Sequence, residues 1–203
     1  MWKKLIGLVM GVAQIAVAAA HGYLAEPSAR NVQHNSDYCP QCLSGPGVCG
    51  DPRGQLSHEP FGKYASPPII AAKYPAGGTL KAKMVITANH QGRWYLELCP
   101  LKNTSPKSER SAIRNGCLEK LRLANGKGQY VYISSSASTS SGTFQLPKGV
   151  TCGRCVLRWV WETSNTCNPK GMPKEYSNQY VGVCRRPQDG EQFRNCADIQ
   201  ITS

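Results

Sequence analysis

The sequence predicts a mostly β protein, an antiparallel β-sandwich carrying long loops pinned by disulfides. From residue 79 onward, short β-favouring runs recur, separated by Gly, Asn, Ser and Pro. Before them, residues 26–68 contain Pro27, Pro40, Pro46, Pro52, Pro60, Pro67 and Pro68, which forbid long regular elements. Ten cysteines, an even number, follow an N-terminal segment with the features of a secretory signal.

Met1 to Ala20 opens with Lys3 and Lys4, continues as an apolar run from Leu5, and ends on the small residues Ala18 and Ala20. This reads as a signal peptide cleaved after Ala20, which makes His21 the N-terminus. The apolar run is about 16 residues, short of the roughly 20 that span a bilayer, and no second segment of that length follows. The expectation is therefore a secreted, extracellular protein with no membrane partner. The 183 residues from 21 to 203 suffice for one domain with a core and are marginal for two, so they read as a single domain; a monomer is expected.

Residues 26–68, which carry three cysteines, read as an extended loop region lying over a scaffold. The strands predicted after it are Thr79 to Thr87, Trp94 to Cys99, Tyr130 to Ser135, Val156 to Trp161 and Ala197 to Thr202, with a further β-like run over Thr143 to Leu146. Leu118 to Leu123 fits a strand or a short helix, with Ser111 to Asn115 leading into it. The serine-rich tract Ser134 to Ser141 reads as a hairpin loop. Asn103-Thr104-Ser105 is an N-glycosylation acceptor, with Pro106 directly after it. For Trp94, Trp159 and Trp161, all in β runs, core packing outweighs a surface platform.

The cysteines are Cys39, Cys42, Cys49, Cys99, Cys117, Cys152, Cys155, Cys167, Cys184 and Cys196, and five disulfides are expected with open connectivity. Cys39-x-x-Cys42 and Cys152-x-x-Cys155 also look like halves of a zinc ribbon. The gap between them is far longer than such ribbons use, and an oxidising compartment favours disulfides. Neither pair opens a helix in a βαβ pattern, which argues against a thioredoxin-like role.

The net charge is +12, of which Lys3 and Lys4 contribute two, leaving +10 after cleavage. The basic residues are dispersed and match no nucleic-acid motif, so nucleic acid is not the expected partner. An extracellular polyanion such as an acidic polysaccharide suits them better; a merely solubilising surface is the plainer alternative.

The chain has four histidines: His21, His34, His58 and His90. A terminal His21 would offer a metal its α-amino group and imidazole together. His90 lies in Thr87-Ala88-Asn89-His90-Gln91-Gly92, where a β run ends in a Gly-containing turn that presents an imidazole at a sheet end. Two imidazoles and one amine would form a T-shaped copper site with open positions, as activation of dioxygen or peroxide requires. His34 and His58 fall in the Pro/Gly-rich loops and read as solvated, with a lesser option that His58 lines a binding surface.

Three blocks, His21-Gly-Tyr-Leu-Ala-Glu-Pro-Ser-Ala-Arg30-Asn31, Thr87-Ala-Asn-His90-Gln-Gly and Phe193-Arg-Asn-Cys-Ala-Asp198-Ile, together resemble the lytic polysaccharide monooxygenases. The resemblance implies an immunoglobulin/fibronectin-like sandwich in which His21 and His90 brace one mononuclear copper ion. It implies that Ala88 restricts one axial side and that Phe193 takes the other, where many relatives carry tyrosine; Tyr180 is the alternative if the loop register differs. It also implies an external electron donor, O2 or H2O2 as cosubstrate, and oxidation at C1 or C4 of a glycosidic linkage. Glu97 and Glu162 are candidates to position a proton or oxygen there, against the plainer reading of solvated carboxylates.

Tyr38-Cys-Pro-Gln-Cys-Leu and Gly47-Val-Cys-Gly-Asp51-Pro most resemble auxiliary activity family seventeen, small cysteine-rich enzymes of filamentous plant pathogens related to family fifteen. This likeness implies a pectic substrate, homogalacturonan, and a part in virulence, whereas family fifteen implies chitin or cellulose. The charge points the same way, because homogalacturonan carries ionised carboxylates and chitin and cellulose do not. A glycoside hydrolase would need two suitably spaced carboxylates and leaves the terminal histidine without a role. A noncatalytic copper- or carbohydrate-binding protein would keep both histidines and release no oxidised sugar.

Overall fold

A computed structural model describes residues 21–34 and 39–203; the segment read as a signal peptide and Tyr38 lie outside the described residues. Among the described residues, ten strands form two sheets packed face to face. The smaller sheet has the order β1 (His21–Glu26), β3 (Thr79–Ala88), β8 (Thr139–Gln145), β6 (Arg122–Leu123). The larger runs β2 (Ile70–Pro75), β10 (Gln192–Thr202), β9 (Cys152–Glu162), β4 (Arg93–Pro100), β5 (Glu119–Lys120), with β7 (Val131–Tyr132) also on β4. The β2–β10 pair is parallel and the other strand pairs are antiparallel, so the mostly antiparallel sandwich is as predicted.

Alternation builds the core. In β3, Leu80, Ala82, Met84 and Ile86 are buried while Lys81 faces water, the period-two pattern of a sheet with one wet face. Trp94, Trp159 and Trp161 are fully buried and meet Leu24, Phe144 and Phe193 in the same cluster, as their β context implied. β9 is different, with both faces buried over most of its length. Its outer face supports the Pro-rich segment and the short helix α2 (Pro106–Arg114), while the short helix α1 (Arg30–Gln33) is joined to β10.

Several elements differ from the expectation. β1 and β2 lie where no strand was predicted; β1 pairs with β3 and β2 with β10, so tertiary partners decide both. Leu118 to Leu123 is neither one strand nor a helix. β5 pairs with β4 in one sheet and β6 with β8 in the other, the chain crossing over at buried Leu121. The helix sits upstream, capped by the Ser105 hydroxyl accepting from Ser108 N, with Pro106 opening it. The serine tract is a loop only to Ser138, because Thr139 and Ser140 already pair with Val85 and Met84. Small hydroxylated residues suffice on a strand that has a partner.

All five expected disulfides form, as Cys39–Cys42, Cys49–Cys196, Cys99–Cys117, Cys152–Cys155 and Cys167–Cys184. Cys49–Cys196 spans 147 residues and fastens the Pro-rich segment to β10. Beside it lies a buried ionic network. Arg30 donates through Nε and Nη2 to the two Asp198 oxygens, each at 2.8 Å, while Arg154 Nε donates to Asp198 Oδ1 at 2.8 Å. Both guanidiniums also meet Glu109 of α2, at 2.9 Å from Arg30 and 2.6 Å from Arg154. Two cations and two anions are balanced, and the spare donors reach the His58, Thr104 and Ala65 carbonyls.

Asp198→Asn would leave both guanidiniums buried against Glu109 alone and is expected to cost about 3–5 kcal/mol, measured by denaturant unfolding at pH 7. Burial pushes the Asp198 carboxyl up, but Arg30 and Arg154 outweigh it and hold the group below its ordinary 3.8. A carboxylate depressed in the fold contributes stability above its unfolded value and loses it as pH falls through the folded value. The gap between the native protein and Asp198→Asn should therefore narrow as pH drops below about 4.

Candidate metal centre

His21 begins β1 and pairs in register with Ala88, the last residue of β3. His90 follows Ala88 by two residues, so the two half-buried histidines belong to the same end of the smaller sheet. Gly22 is required beside His21. A Cβ there would stand 2.9 Å from the Trp161 ring and 3.0 Å from the Val85 carbonyl oxygen.

The turn that carries His90 is fastened on both sides. Asn89 accepts from Gln91 N and donates to the carbonyls of Ser134 and Ala137, at 2.9 and 2.6 Å. The His90 carbonyl accepts from Ser164 N, and the Gln91 carbonyl accepts from the indole of Trp161 at 2.9 Å. Gln91 and Gly92 are both left-handed, with φ of 54° and 95°. At Gly92 a Cβ would fall 2.0 Å from the Glu162 carbonyl oxygen, so only glycine lets the turn approach β9 this closely.

Phe193 enters from the other sheet. It is buried, with its ring 6.3 Å from that of His21 and 5.4 Å from that of Trp161. Two residues further along β10, fully buried Asn195 accepts from Leu24 N at 2.8 Å. That side chain ties the strand bearing His21 to the strand bearing Phe193, a function the sequence reading did not assign. Its signal was a polar residue between Phe193 and Ala197 in the alternation that faces the core. Tyr180 is 86% exposed on the loop closed by Cys167–Cys184, and among the described residues its ring packs on neither histidine.

Four readings of individual residues need correction. His34 and His58 are not solvated. His58 is buried and its Nδ1 lies 2.6 Å from Asp51, while its ring and that of His34 pack near Tyr64, at centroid distances of 4.9 and 4.8 Å. A loop that covers a sheet acquires an interior of its own, and histidines there are drawn into it. Glu97 and Glu162 are not ordinary solvated carboxylates either: both are buried and paired, with Arg158 and with Arg93 respectively.

No group of three or more His, Cys, Asp or Glu side chains gathers to hold a metal among the described residues.

No curated protein matches the chain significantly. In structure it is similar to the family AA15 lytic polysaccharide monooxygenase from Thermobia domestica in the Cu(I) state, with 29% identity, a TM-score of 0.65, and coverage of 89% of this chain and 98% of that one. More distant likenesses are to a chitin binding domain from Burkholderia pseudomallei (13% identity, TM-score 0.49, 91% and 100% covered) and to the cellulose-active enzyme CelS2 in complex with copper (16%, 0.49, 89% and 98%). A family model described as lytic polysaccharide mono-oxygenase, cellulose-degrading, matches residues 21–199, from the first residue of β1 into β10. With nearly the whole described chain inside that match, the protein belongs to the lytic polysaccharide monooxygenase family.

Proposed function

We propose that the protein is secreted, is cleaved after Ala20, and acts as a single-domain monooxygenase that oxidatively cleaves pectic homogalacturonan. The observation that carries the site is the juxtaposition of His21, Ala88 and Phe193, with His90 at the same sheet end. The family match beginning at His21 supports the cleavage.

The residues fit one copper ion. Two imidazoles and the freed α-amino group of His21 make an all-nitrogen set of the kind Cu(II) favours. When bound, copper supplies one-electron redox chemistry toward O2 or H2O2, fed by an external donor. His21 holds the metal through two nitrogens of one residue. His90 supplies the third from a turn that its neighbours keep in place. Phe193 excludes water from its side with an apolar ring, buried against Trp161, and offers no ligand atom. Ala88, opposite His21 in register, keeps the other approach free of a bulky side chain.

Charge supports the pectic substrate. Among the described residues, six acids are buried, whereas of the Lys and Arg side chains only Arg30 and Arg154 are, so the surface is more basic than the composition suggests. A polymer of ionised uronates concentrates on such a surface and a neutral glucan does not. The cellulose-degrading description of the matching family model favours a second reading, the same chemistry on cellulose or chitin.

Mass spectrometry of products from polygalacturonate, chitin and cellulose, with copper and ascorbate, decides between them. Oxidised oligogalacturonides are expected, and oxidised products from chitin or cellulose alone would transfer the protein to the second reading. An extra residue before His21, or His90→Ala, is expected to weaken Cu(II) binding by orders of magnitude and to abolish the type-2 copper spectrum. Equal affinity of the native and extended forms would remove the brace. Phe193→Tyr should retain copper and shift its spectrum, because a phenol oxygen enters beside the metal while the ring is preserved; an unchanged spectrum would place Phe193 away from it.

A further inference from the structure

Away from the histidine pair, an open groove of about 940 Å³ lies along β3 and β8 and extends to Tyr130, Tyr132 and Tyr176. Lys81, Lys83 and Lys127 line it, and none forms an ion pair among the described residues. Glu26 is the one acid among its lining residues. Lys81 and Lys83 are two apart on β3 and so share a face.

The aromatic part of its lining is already held in place. Tyr132 and Tyr176 stack at 5.3 Å with their planes 22° apart. Arg93 covers the Tyr130 ring at 3.9 Å, and Lys120 Nζ donates to the Tyr130 hydroxyl at 3.0 Å. Gln91, the neighbour of His90, donates to the Tyr176 carbonyl at 3.5 Å, so this end of the groove adjoins the histidine turn. The lysine end is remote, since Lys83 precedes Ala88 by five residues, roughly 17 Å along an extended strand.

We infer that this groove is a second contact region, which holds an anionic oligosaccharide of uronic acid units while another part of the same polymer reaches the histidines. This rests on the pectic reading given above. The lysine ammonium groups of the lining suit carboxylates repeated along a chain, and its tyrosine rings suit the C–H faces of sugar rings. Because Tyr130 and Tyr132 are fixed before any ligand arrives, binding orders few side chains. A neutral glucan would satisfy the tyrosines and leave the three ammonium groups unmatched.

The test compares two triple variants of copper-loaded protein, without reductant, by calorimetric titration with oligogalacturonate, oligomannuronate and methyl-esterified oligogalacturonate. Lys81→Gln/Lys83→Gln/Lys127→Gln removes the charges of the groove. Lys102→Gln/Lys107→Gln/Arg114→Gln removes as much charge from exposed positions around α2 that do not line it. The groove triple is expected to weaken both uronates about tenfold and the control triple less than about threefold, with the ester bound weakly by all forms. Equal losses in the two triples, no loss in the groove triple, or no uronate binding by the unaltered protein would overturn the inference. Product analysis on polygalacturonate separates the two proposals: groove-dependent binding with no oxidised product keeps the groove and removes the pectic activity.

Discussion

The buried pairing of Asp198 with Arg30 and Arg154, closed by Glu109, is the constraint on which the arrangement of layers depends. It lies where β9, β10, α1 and α2 meet, and its spare donors reach the carbonyls of His58, Ala65 and Thr104. The backbone hydrogen bonds within segment 26–68 close short-range turns and do not join it to a sheet ladder. These charges and Cys49–Cys196 help fasten it to the sheets. Such a network is costly to desolvate and worse to break, so it acts more as a specification of one packing than as a large net source of stability.

That specification carries through to the histidine end along a single strand. β10 contributes Asp198 to the ionic network, Cys196 to the disulfide, Asn195 to the bond with Leu24 and Phe193 to the ring beside His21. A shift of β10 by one residue would exchange its two faces and displace all four contacts together. Among the described residues, β3 is the only strand hydrogen-bonded to β1 in the sheet. The position of His21 therefore depends on Asn195 reaching across the sandwich, and on Gly22 letting Trp161 come close.

How much of this was legible in the sequence follows from range. The β-sandwich, the buried tryptophans and the even cysteine count are local or compositional signals, and each agrees with the structure. His21, His90 and Phe193 were found by pattern, and the fold brings His21 and Phe193 together. What was missed depends on partners distant in the chain. β2 exists because β10 accepts it, more than a hundred residues away. Asn195, Asp51 and His58 look like ordinary polar residues in a sequence and become interior ones only when a covering segment is laid over a sheet. The acids Glu97 and Glu162 read as solvated because their arginines, Arg158 and Arg93, lie on neighbouring strands and not nearby in the chain.

The same pairing explains a tension between composition and family. The matching family model is described by a neutral polymer, while the charge of this chain suits an acidic one. In the proposed site, two imidazoles and a phenylalanine would meet a glycosidic bond and offer no means of reading a carboxylate. Discrimination between neutral and acidic chains must then reside in other side chains. Because Asp51, Glu59, Glu97, Glu109, Glu162 and Asp198 are all drawn inside, the lysines of β3 and of the turn at Lys127 face solvent with little opposing charge. Ion pairing in the interior thus leaves the outside basic, and the partition of charge between the two, more than the net total, is what favours the proposed polyanionic substrate.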